Sequence, residues 1–234
     1  MIRPVTKIDD LVPIRHVVIS VSNKDKLDIL INGLLSYCPG VKIYASGNTY
    51  KAINDLLPLS AANQLVEISQ YTGQPETEGG LVKTLHHKLF LGYLTETYCE
   101  AHQRDLQREA AVSMDLVVIN FYPFRKAIDD PSSTFETARG NIDIGGPSAL
   151  RAAAKNCLRV MTLSDPEDYD GFVEILKGQQ GQTTLSQRVV AATNSFRLTY
   201  SYDQAICLYL STIKTFSEII GCYQTGNPSD QLPE

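Results

Sequence analysis

Five short runs rich in valine and isoleucine alternate with helical patterns, and this alternation constrains the fold more than any other feature of the chain. The runs are HVVISVS at His16, KIYAS at Lys42, LVEIS at Leu65, MDLVVIN at Met114 and LRVMTL at Leu158. Near-continuous apolar runs are typical of strands covered on both faces, and helices between parallel strands imply right-handed crossovers. The pattern predicts an α/β protein with a doubly wound, mainly parallel five-stranded sheet flanked by helices.

The remaining patterns predict where helices and chain ends lie. Helical patterns cover Lys24 to Leu35, Thr49 to Leu57, Pro166 to Leu176 and Ser186 to Leu210, and Asp165 is a typical N-cap. We expect an N-terminal tail over residues 1–15 and one folded domain over 16–215. Its α/β body reaches about residue 177, and a helical C-terminal extension without a further strand covers 185–215. Residues 223–234 have the composition of a disordered tail.

Composition excludes several classes of function. The net charge is −5, and no basic run offers a nucleic-acid surface. No apolar stretch reaches the ~18 residues of a membrane span, and the first fifteen residues do not resemble a secretory signal. Five cysteines without a short ligand spacing predict reduced thiols in the cytoplasm. We expect the adjacent His86 and His87 to point apart on a helix or strand and not to share an ion. We therefore expect no metal, no membrane and no nucleic-acid partner.

The run from Asn141 to Asn156, NIDIGGPSALRAAAKN, has the composition of a site rather than a core. It predicts a short strand that ends at Asp143, a glycine turn at Gly145, and a helix with Pro147 in its first turn. Backbone amides at a helix start are suited to binding anions.

Other polar residues follow the predicted strands, at the edge where open parallel sheets bind ligands. Ser22 and Lys24 follow the first strand, and SGNT at Ser46 to Thr49 follows the second. Helix capping by Ser22 and Thr49 explains either turn alone, but the pair of turns favours a phosphate site.

Single residues of the other segments also have plain structural explanations. Lys83 could be a solvated surface charge, Tyr122 an aromatic core residue and Asn120 a loop cap. Asp143 and Lys155 could form a structural ion pair, or a buried pair that transfers protons.

Five segments together resemble the inosine monophosphate (IMP) cyclohydrolase domain of the bifunctional purine-biosynthesis enzyme that also carries an AICAR transformylase. They are VSNK at Val21, ASGNT at Ala45, GLVKTLH at Gly80, NFYPF at Asn120 and the run at Asn141. Their order and spacing follow the family from about His16 to Leu210. The resemblance implies a methylglyoxal-synthase-like fold, a phosphorylated nucleotide substrate, no cofactor and a homodimer.

The resemblance also implies roles for individual residues. The catalytic set is Lys83, Tyr122, Asp143 and Lys155. The substrate-binding set is Ser22, Lys24, Ser46, Gly47, Thr49, Thr84, Asn120, Ile144 and Gly145. The implied reaction closes the purine ring of 5-formamidoimidazole-4-carboxamide ribotide to IMP with loss of water.

Three positions depart from the family pattern. Leu81 stands where the family has an arginine that contacts the nucleotide, His87 replaces a proline, and Asn48 replaces a glycine. The chain also ends before a transformylase half, so we expect formylated substrate to come from elsewhere. These departures keep two alternatives open. One is a repurposed cyclase that closes the ring of a different small molecule, and the other is a non-catalytic sensor of a phosphorylated ligand.

Overall fold

The structure, a computed structural model, describes residues 5–75, 77, 82–122, 124–213 and 219–224. Five parallel strands form the main sheet in the order β4-β3-β2-β5-β6. Their bounds are β2 His16–Val21, β3 Lys42–Ala45, β4 Leu65–Glu67, β5 Leu116–Asn120 and β6 Met161–Leu163. Each lies within one of the five predicted runs, so the predicted α/β class and five-stranded sheet are confirmed.

Helices connect the strands and cover both faces of the sheet. Their bounds are α1 Leu27–Tyr37, α2 Gly47–Leu56, α3 Ile68–Thr72, α4 His87–Leu94, α5 Glu100–Arg108, α6 Phe124–Ile128, α7 Phe135–Gly140, α8 Gly145–Lys155, α9 Tyr169–Gly178 and α10 Leu185–Thr212. The helix predicted from Pro166 begins as a short 3₁₀ turn, Pro166–Asp168, which the Asp165 carboxylate caps by accepting from the Glu167 amide at 3.0 Å. None of the helices in the described ranges is both long and apolar enough to cross a membrane.

Two buried clusters on opposite faces of the sheet stabilise the fold. Alternate residues of β2 supply both: Val17 and Ile19 belong to the cluster that contains residues of α1 and α9, whereas Val18 belongs to the one that contains residues of α4 and α8. Because successive strand side chains point to opposite faces, the continuous apolar runs bury both sides of the sheet.

The end of the predicted N-terminal tail is part of the fold. Val12–Pro13 forms β1, which pairs antiparallel with a short strand, β7, at Gln182–Thr183. The guanidinium of Arg188 on α10 is fully buried and donates to the carbonyls of Asp9, Asp10 and Thr183. The ordered body therefore begins before His16, and the connection between α9 and α10 contains the short strand β7, which the sequence pattern does not predict.

The prediction of a strand ending at Asp143 was also wrong. This residue lies in a connection between α7 and α8, and α8 begins at Gly145 itself rather than after a glycine turn. Pro147 and the alanine run lie within α8 as predicted. The isoleucines beside Asp143 suggested a strand, but a run of four residues is too short to distinguish a strand from a linker by periodicity.

The described chain divides into two compact units. The first contains residues up to Phe121 together with Ile144–Thr199, and the second contains Tyr122–Asp143 and residues from Tyr200 onward. The sheet and its flanking helices belong to the first unit. The predicted disordered tail, residues 223–234, lies outside the described residues except for 223 and 224.

Candidate functional site

The carboxyl ends of three neighbouring strands bring together three of the predicted segments. β2 lies between β3 and β5, and Val21 at the end of β2 is in register with Asn120 at the end of β5. The Asn120 carboxamide accepts hydrogen bonds from the amides of Ser22 at 2.7 Å and Asn23 at 2.9 Å, and it donates to the Asn23 carbonyl at 2.9 Å. Asn120 therefore holds the loop after β2, as the loop-cap interpretation predicted.

The loop after β3 is fastened to β2 by Thr49. Its buried hydroxyl donates to the Val21 carbonyl at 3.1 Å and accepts from the Val21 amide at 3.2 Å. Since this hydroxyl is used inside the protein, Thr49 has a positioning role in the structure. The two predicted phosphate loops are therefore neighbours.

The first residues of α2 present backbone amides at the same edge. Ser46 occupies the N-cap position in an extended conformation, and its side chain makes no capping hydrogen bond to α2. Gly47 adopts a left-handed conformation with φ of 53°, whereas Asn48 has no positive φ. The left-handed backbone conformation, which favours glycine, is therefore adopted by Gly47. Position 48 does not need this conformation, so an asparagine fits there.

Lys24 brings positive charge to the loop after β2. Its ammonium group lies 3.3 Å from the Ser22 carbonyl and 3.5 Å from the Val21 carbonyl, and both Ser22 and Lys24 are half-buried. An ammonium group folded over this loop, beside the first backbone amides of α2, is a suitable partner for a phosphate group.

A second group of predicted residues meets at the start of α8. A Cβ atom built on Gly145 would lie 3.1 Å from the Thr84 hydroxyl oxygen, so these two predicted substrate contacts are neighbours. Ile144 precedes α8 and its side chain is 61% exposed. Lys83, next to Thr84, is exposed, whereas Gly80 and Leu81 of the same segment lie outside the described residues.

Lys155 lies at the opposite end of α8. The helix is continuous from Gly145 to Lys155, so the two backbones are about 15 Å apart along its axis. The Lys155 side chain is exposed. Spacing in the sequence could not indicate this separation, because it depends on the helix being unbroken.

Tyr122 and Asp143 belong to the second compact unit. Tyr122 is 59% exposed, so it is not the aromatic core residue of the plain interpretation; Phe124 takes that place at 1% exposure. Phe124 packs edge-on against Tyr202 and Tyr209.

The Tyr202 hydroxyl accepts from the Asp143 amide at 2.8 Å and donates to the Asn141 carbonyl at 3.3 Å. The backbone that carries Asp143 is thereby positioned by α10.

Sequence reasoning missed Tyr169, the first residue of α9. This tyrosine is 1% exposed, and its hydroxyl is buried without a hydrogen-bond partner among the described residues. Burial raises the pKa of this hydroxyl, with a further increase from Asp165 and an opposing effect of the nearby Asn120. The phenol therefore lies beside the carboxamide that holds the loop after β2. No sequence signal distinguishes this tyrosine from an ordinary core residue.

Taken together, the fold and these contacts define a doubly wound α/β domain with polar loops gathered at the carboxyl edge of its sheet. The family model described as AICARFT/IMPCHase bienzyme matches residues 153–229. The bifunctional purine biosynthesis protein PurH of Prochlorococcus marinus (strain MIT 9211) is 41% identical over 93% of this chain and 40% of its own length. PurH of Leptospira biflexa is 36% identical over 86% of this chain and 38% of its own length.

A solved structure is similar to this chain over nearly all of its own length. The crystal structure of ForH is similar with a TM-score of 0.67 and 31% identity, covering 83% of this chain and 97% of that one. This chain belongs to the AICARFT/IMPCHase family, which confirms the family resemblance. It spans about two fifths of the length of the curated PurH relatives.

Proposed function

We propose that this domain is an IMP cyclohydrolase, which closes the purine ring of 5-formamidoimidazole-4-carboxamide ribotide with loss of water. The observation that carries the proposal is the pair of loops after β2 and β3, which Thr49 and Asn120 hold side by side. Two such loops with a lysine and a helix N-terminus suit the 5′-phosphate of a nucleotide. Family membership supplies the substrate class.

The chemistry needs positioning and charge stabilisation but no redox group. The carboxamide nitrogen attacks the formyl carbon, forming the ring C–N bond while the formyl oxygen takes up the displaced electron pair. The attacking nitrogen loses one proton and that oxygen gains one, which gives a hydroxyl group. The hydroxyl then takes up a second proton and leaves as water, while the former formamido nitrogen loses its proton to form the C=N bond of the aromatic ring. Because an amide nitrogen is a poor nucleophile, holding the two substituents together contributes much of the acceleration.

We assign the developing oxyanion to Lys83 and Tyr122, and proton transfer to Asp143 with Lys155. We assign substrate binding to Ser22, Lys24, Ser46, Gly47, Thr84, Ile144 and Gly145. Thr49 and Asn120 act by holding the loops, and we retain a base contact as a second role for Asn120. The catalytic roles rest on the family resemblance, and the binding roles rest also on the neighbours described above.

The direct test is incubation of the full chain with the formylated ribotide, followed by the ultraviolet change as the purine ring forms. We expect turnover, and we expect Lys83→Ala and Tyr122→Phe each to lower kcat by about 100- to 1000-fold because each removes a donor to the oxyanion. Lys51→Ala and Tyr200→Phe change an exposed lysine and an exposed tyrosine outside the proposed set, and they serve as matched controls. Wild-type kcat in both site variants would refute the assignment.

Lys155 has a separate test because of its place at the far end of α8. If it takes part in proton transfer, Lys155→Met lowers kcat and flattens its pH dependence. Lys177→Met, which changes another lysine in the last turn of a helix, leaves both unchanged. An unchanged kcat in Lys155→Met would remove this residue from the catalytic set while leaving the remaining roles intact.

A second candidate, a cyclase for a different small molecule, is favoured by Leu81. Replacing the family arginine with leucine removes a charge-assisted hydrogen bond to the nucleotide worth about 1.5–3 kcal/mol. Leu81→Arg should therefore lower KM for the ribotide if the chain has been adapted to another substrate. Unchanged KM and kcat in Leu81→Arg would count against this second candidate.

A further inference from the structure

We propose that Glu96, Cys99 and His102 form a binding site for a divalent transition-metal ion of the zinc class, with water as the fourth ligand. One ligand atom from each side chain lies within 4.8 Å of the others. Carboxylate oxygen, thiolate sulfur and imidazole nitrogen are the donor types that zinc accepts, and three protein ligands with a water form a common open site. This proposal runs against the expectation of no metal drawn from the sequence.

The three residues follow each other at intervals of three, in the connection between α4 and α5 and the first turn of α5. The pattern E-x₂-C-x₂-H has neither a short spacing between two cysteines nor a pair of histidines, so it does not match the usual sequence signals of a zinc site. All three side chains are partly buried, so each can reach an ion without first leaving a packed core. Ligand atoms on tetrahedral zinc are about 3.5 Å apart, so the cluster must close by about 1 Å.

The connection between α4 and α5 is held by contacts that do not use the three proposed ligand atoms. Asn156, itself buried, donates to the Thr95 carbonyl at 3.0 Å, and the Gln103 side chain donates to the Glu96 carbonyl at 3.1 Å. The Tyr98 hydroxyl donates to the Asp9 carboxylate at 2.6 Å. A backbone held in this way reduces the entropy lost when the ion binds.

The imidazole of His102 already faces the carboxylate. Its Nδ1 atom lies 3.9 Å from a Glu96 carboxylate oxygen and accepts a hydrogen bond from the Glu96 amide at 3.2 Å. An ion bound at Nδ1 takes the place of that hydrogen bond, while the Nε2–H remains available to water. Binding also replaces the proton of the Cys99 thiol, so one proton is released to solvent for each ion bound.

The surroundings of the three side chains leave room for the water ligand and contain charges of both signs. A cavity of about 370 Å³ borders Glu96 and Cys99 and provides room for water. Lys7 and Arg104 also line it and weaken the attraction for a dication, whereas Glu100 in the same lining strengthens it. We therefore expect binding of moderate affinity that is tighter for zinc than for magnesium, since only the softer ion favours a thiolate.

The experiment uses the full chain, reduced and freed of metal with a chelator, and titrated with Co²⁺ as a spectroscopic substitute for zinc. We expect one ion per chain, a near-ultraviolet thiolate-to-cobalt band and the visible spectrum of a tetrahedral site. Cys99→Ser should abolish the band, and His102→Gln and Glu96→Gln should each raise Kd at least tenfold. Cys207→Ser and His87→Gln are the controls and should match the wild type.

A measurement on the wild-type chain keeps the proposal testable if a variant fails to fold. Zinc should slow alkylation of Cys99 by iodoacetamide, measured by peptide mass spectrometry, and a chelator should restore it. Alkylation of Cys207, which is exposed, should not change. Equal labelling of Cys99 with and without zinc, or a cobalt–thiolate band that persists in Cys99→Ser, would overturn the proposal. Neither result depends on the cyclohydrolase activity.

Discussion

At the scale of single residues, two side chains predicted to bind substrate, Thr49 and Asn120, instead hold neighbouring loops in place. Thr49 and Asn120 direct their polar atoms to backbone groups of the loop and strand beside them. A buried donor or acceptor that loses its partner costs about 1–3 kcal/mol, so these contacts are costly to break. We therefore expect Thr49 to affect substrate binding through the loop it holds, and Asn120 to do so through its loop as well as through the proposed base contact.

Thr49→Val tests this positioning role. The valine keeps the shape but removes the hydroxyl that satisfies both the amide and the carbonyl of Val21, so we expect a loss of about 1–3 kcal/mol in the free energy of unfolding. Thr49→Ser retains the hydroxyl and should lose less. Urea denaturation of the three proteins measures the difference, and a Thr49→Val protein as stable as the wild type would refute the role.

At the scale of elements, close helix packing depends on a single glycine. Helices α1 and α9 pack on the same face of the sheet, and a Cβ atom on Gly33 of α1 would overlap the side chain of Val173 on α9. Gly171, in the first turn of α9, has open space where its Cβ would be and no positive φ. The same substitution should therefore have opposite effects in the two helices.

Gly33→Ala should lower the free energy of unfolding by about 1–3 kcal/mol, because the added methyl group forces the helices apart. Gly171→Ala should raise it by about 0.5–1 kcal/mol, because it removes backbone freedom from the unfolded chain without a clash. Urea midpoints should follow the order Gly171→Ala, wild type, Gly33→Ala. A Gly33→Ala protein with the wild-type midpoint would contradict the packing described for α1 and α9.

At the scale of the whole molecule, acid should weaken the fold before its carboxylates titrate. Burial lowers the pKa of His16 at the start of β2, and this outweighs the opposing effect of Asp115. The Tyr44 hydroxyl lies 3.3 Å from its Nδ1 atom. The pKa of His86 is lowered as well, chiefly by burial. Below the unfolded histidine pKa of about 6.5, the unfolded chain binds protons that the native chain does not.

The free energy of unfolding should therefore be greatest above about pH 6.5 and fall as the pH drops through the lowered native pKa of His16. His16→Gln cannot take up a proton at this position, so its loss of stability between about pH 7.5 and 5.5 should be smaller than that of the wild type. Urea unfolding at the two pH values measures the difference. An equal loss in both proteins would show that His16 does not contribute to the pH dependence.

Self-association also belongs to this scale. The family resemblance predicts a homodimer, and several large apolar side chains of α10 are exposed, among them Val190, Phe196 and Leu208. Sedimentation equilibrium of the full chain would show a dimer if this prediction is right, and a monomer at all concentrations would refute it.

The sequence by itself determined the class of fold, the five strands, most of the long helices and the family. These features depend on local patterns: continuous apolar runs for strands buried on both faces, helical periodicity, and motifs of a few adjacent residues. The short run at Asp143 was mispredicted because so few residues do not distinguish a strand from a linker. The two-residue strand β7 was missed because such a short ladder leaves no pattern of its own.

Only the tertiary structure decided which polar groups meet. Asn120 holds a loop 98 residues away, Arg188 binds carbonyls about 180 residues before it, and the buried Tyr169 hydroxyl lies near the Asn120 carboxamide. The geometry of the Glu96, Cys99 and His102 cluster likewise depends on how the chain turns between two helices. Contacts of this kind arise from the order of the strands and the packing of helices on them, which no local window of sequence contains.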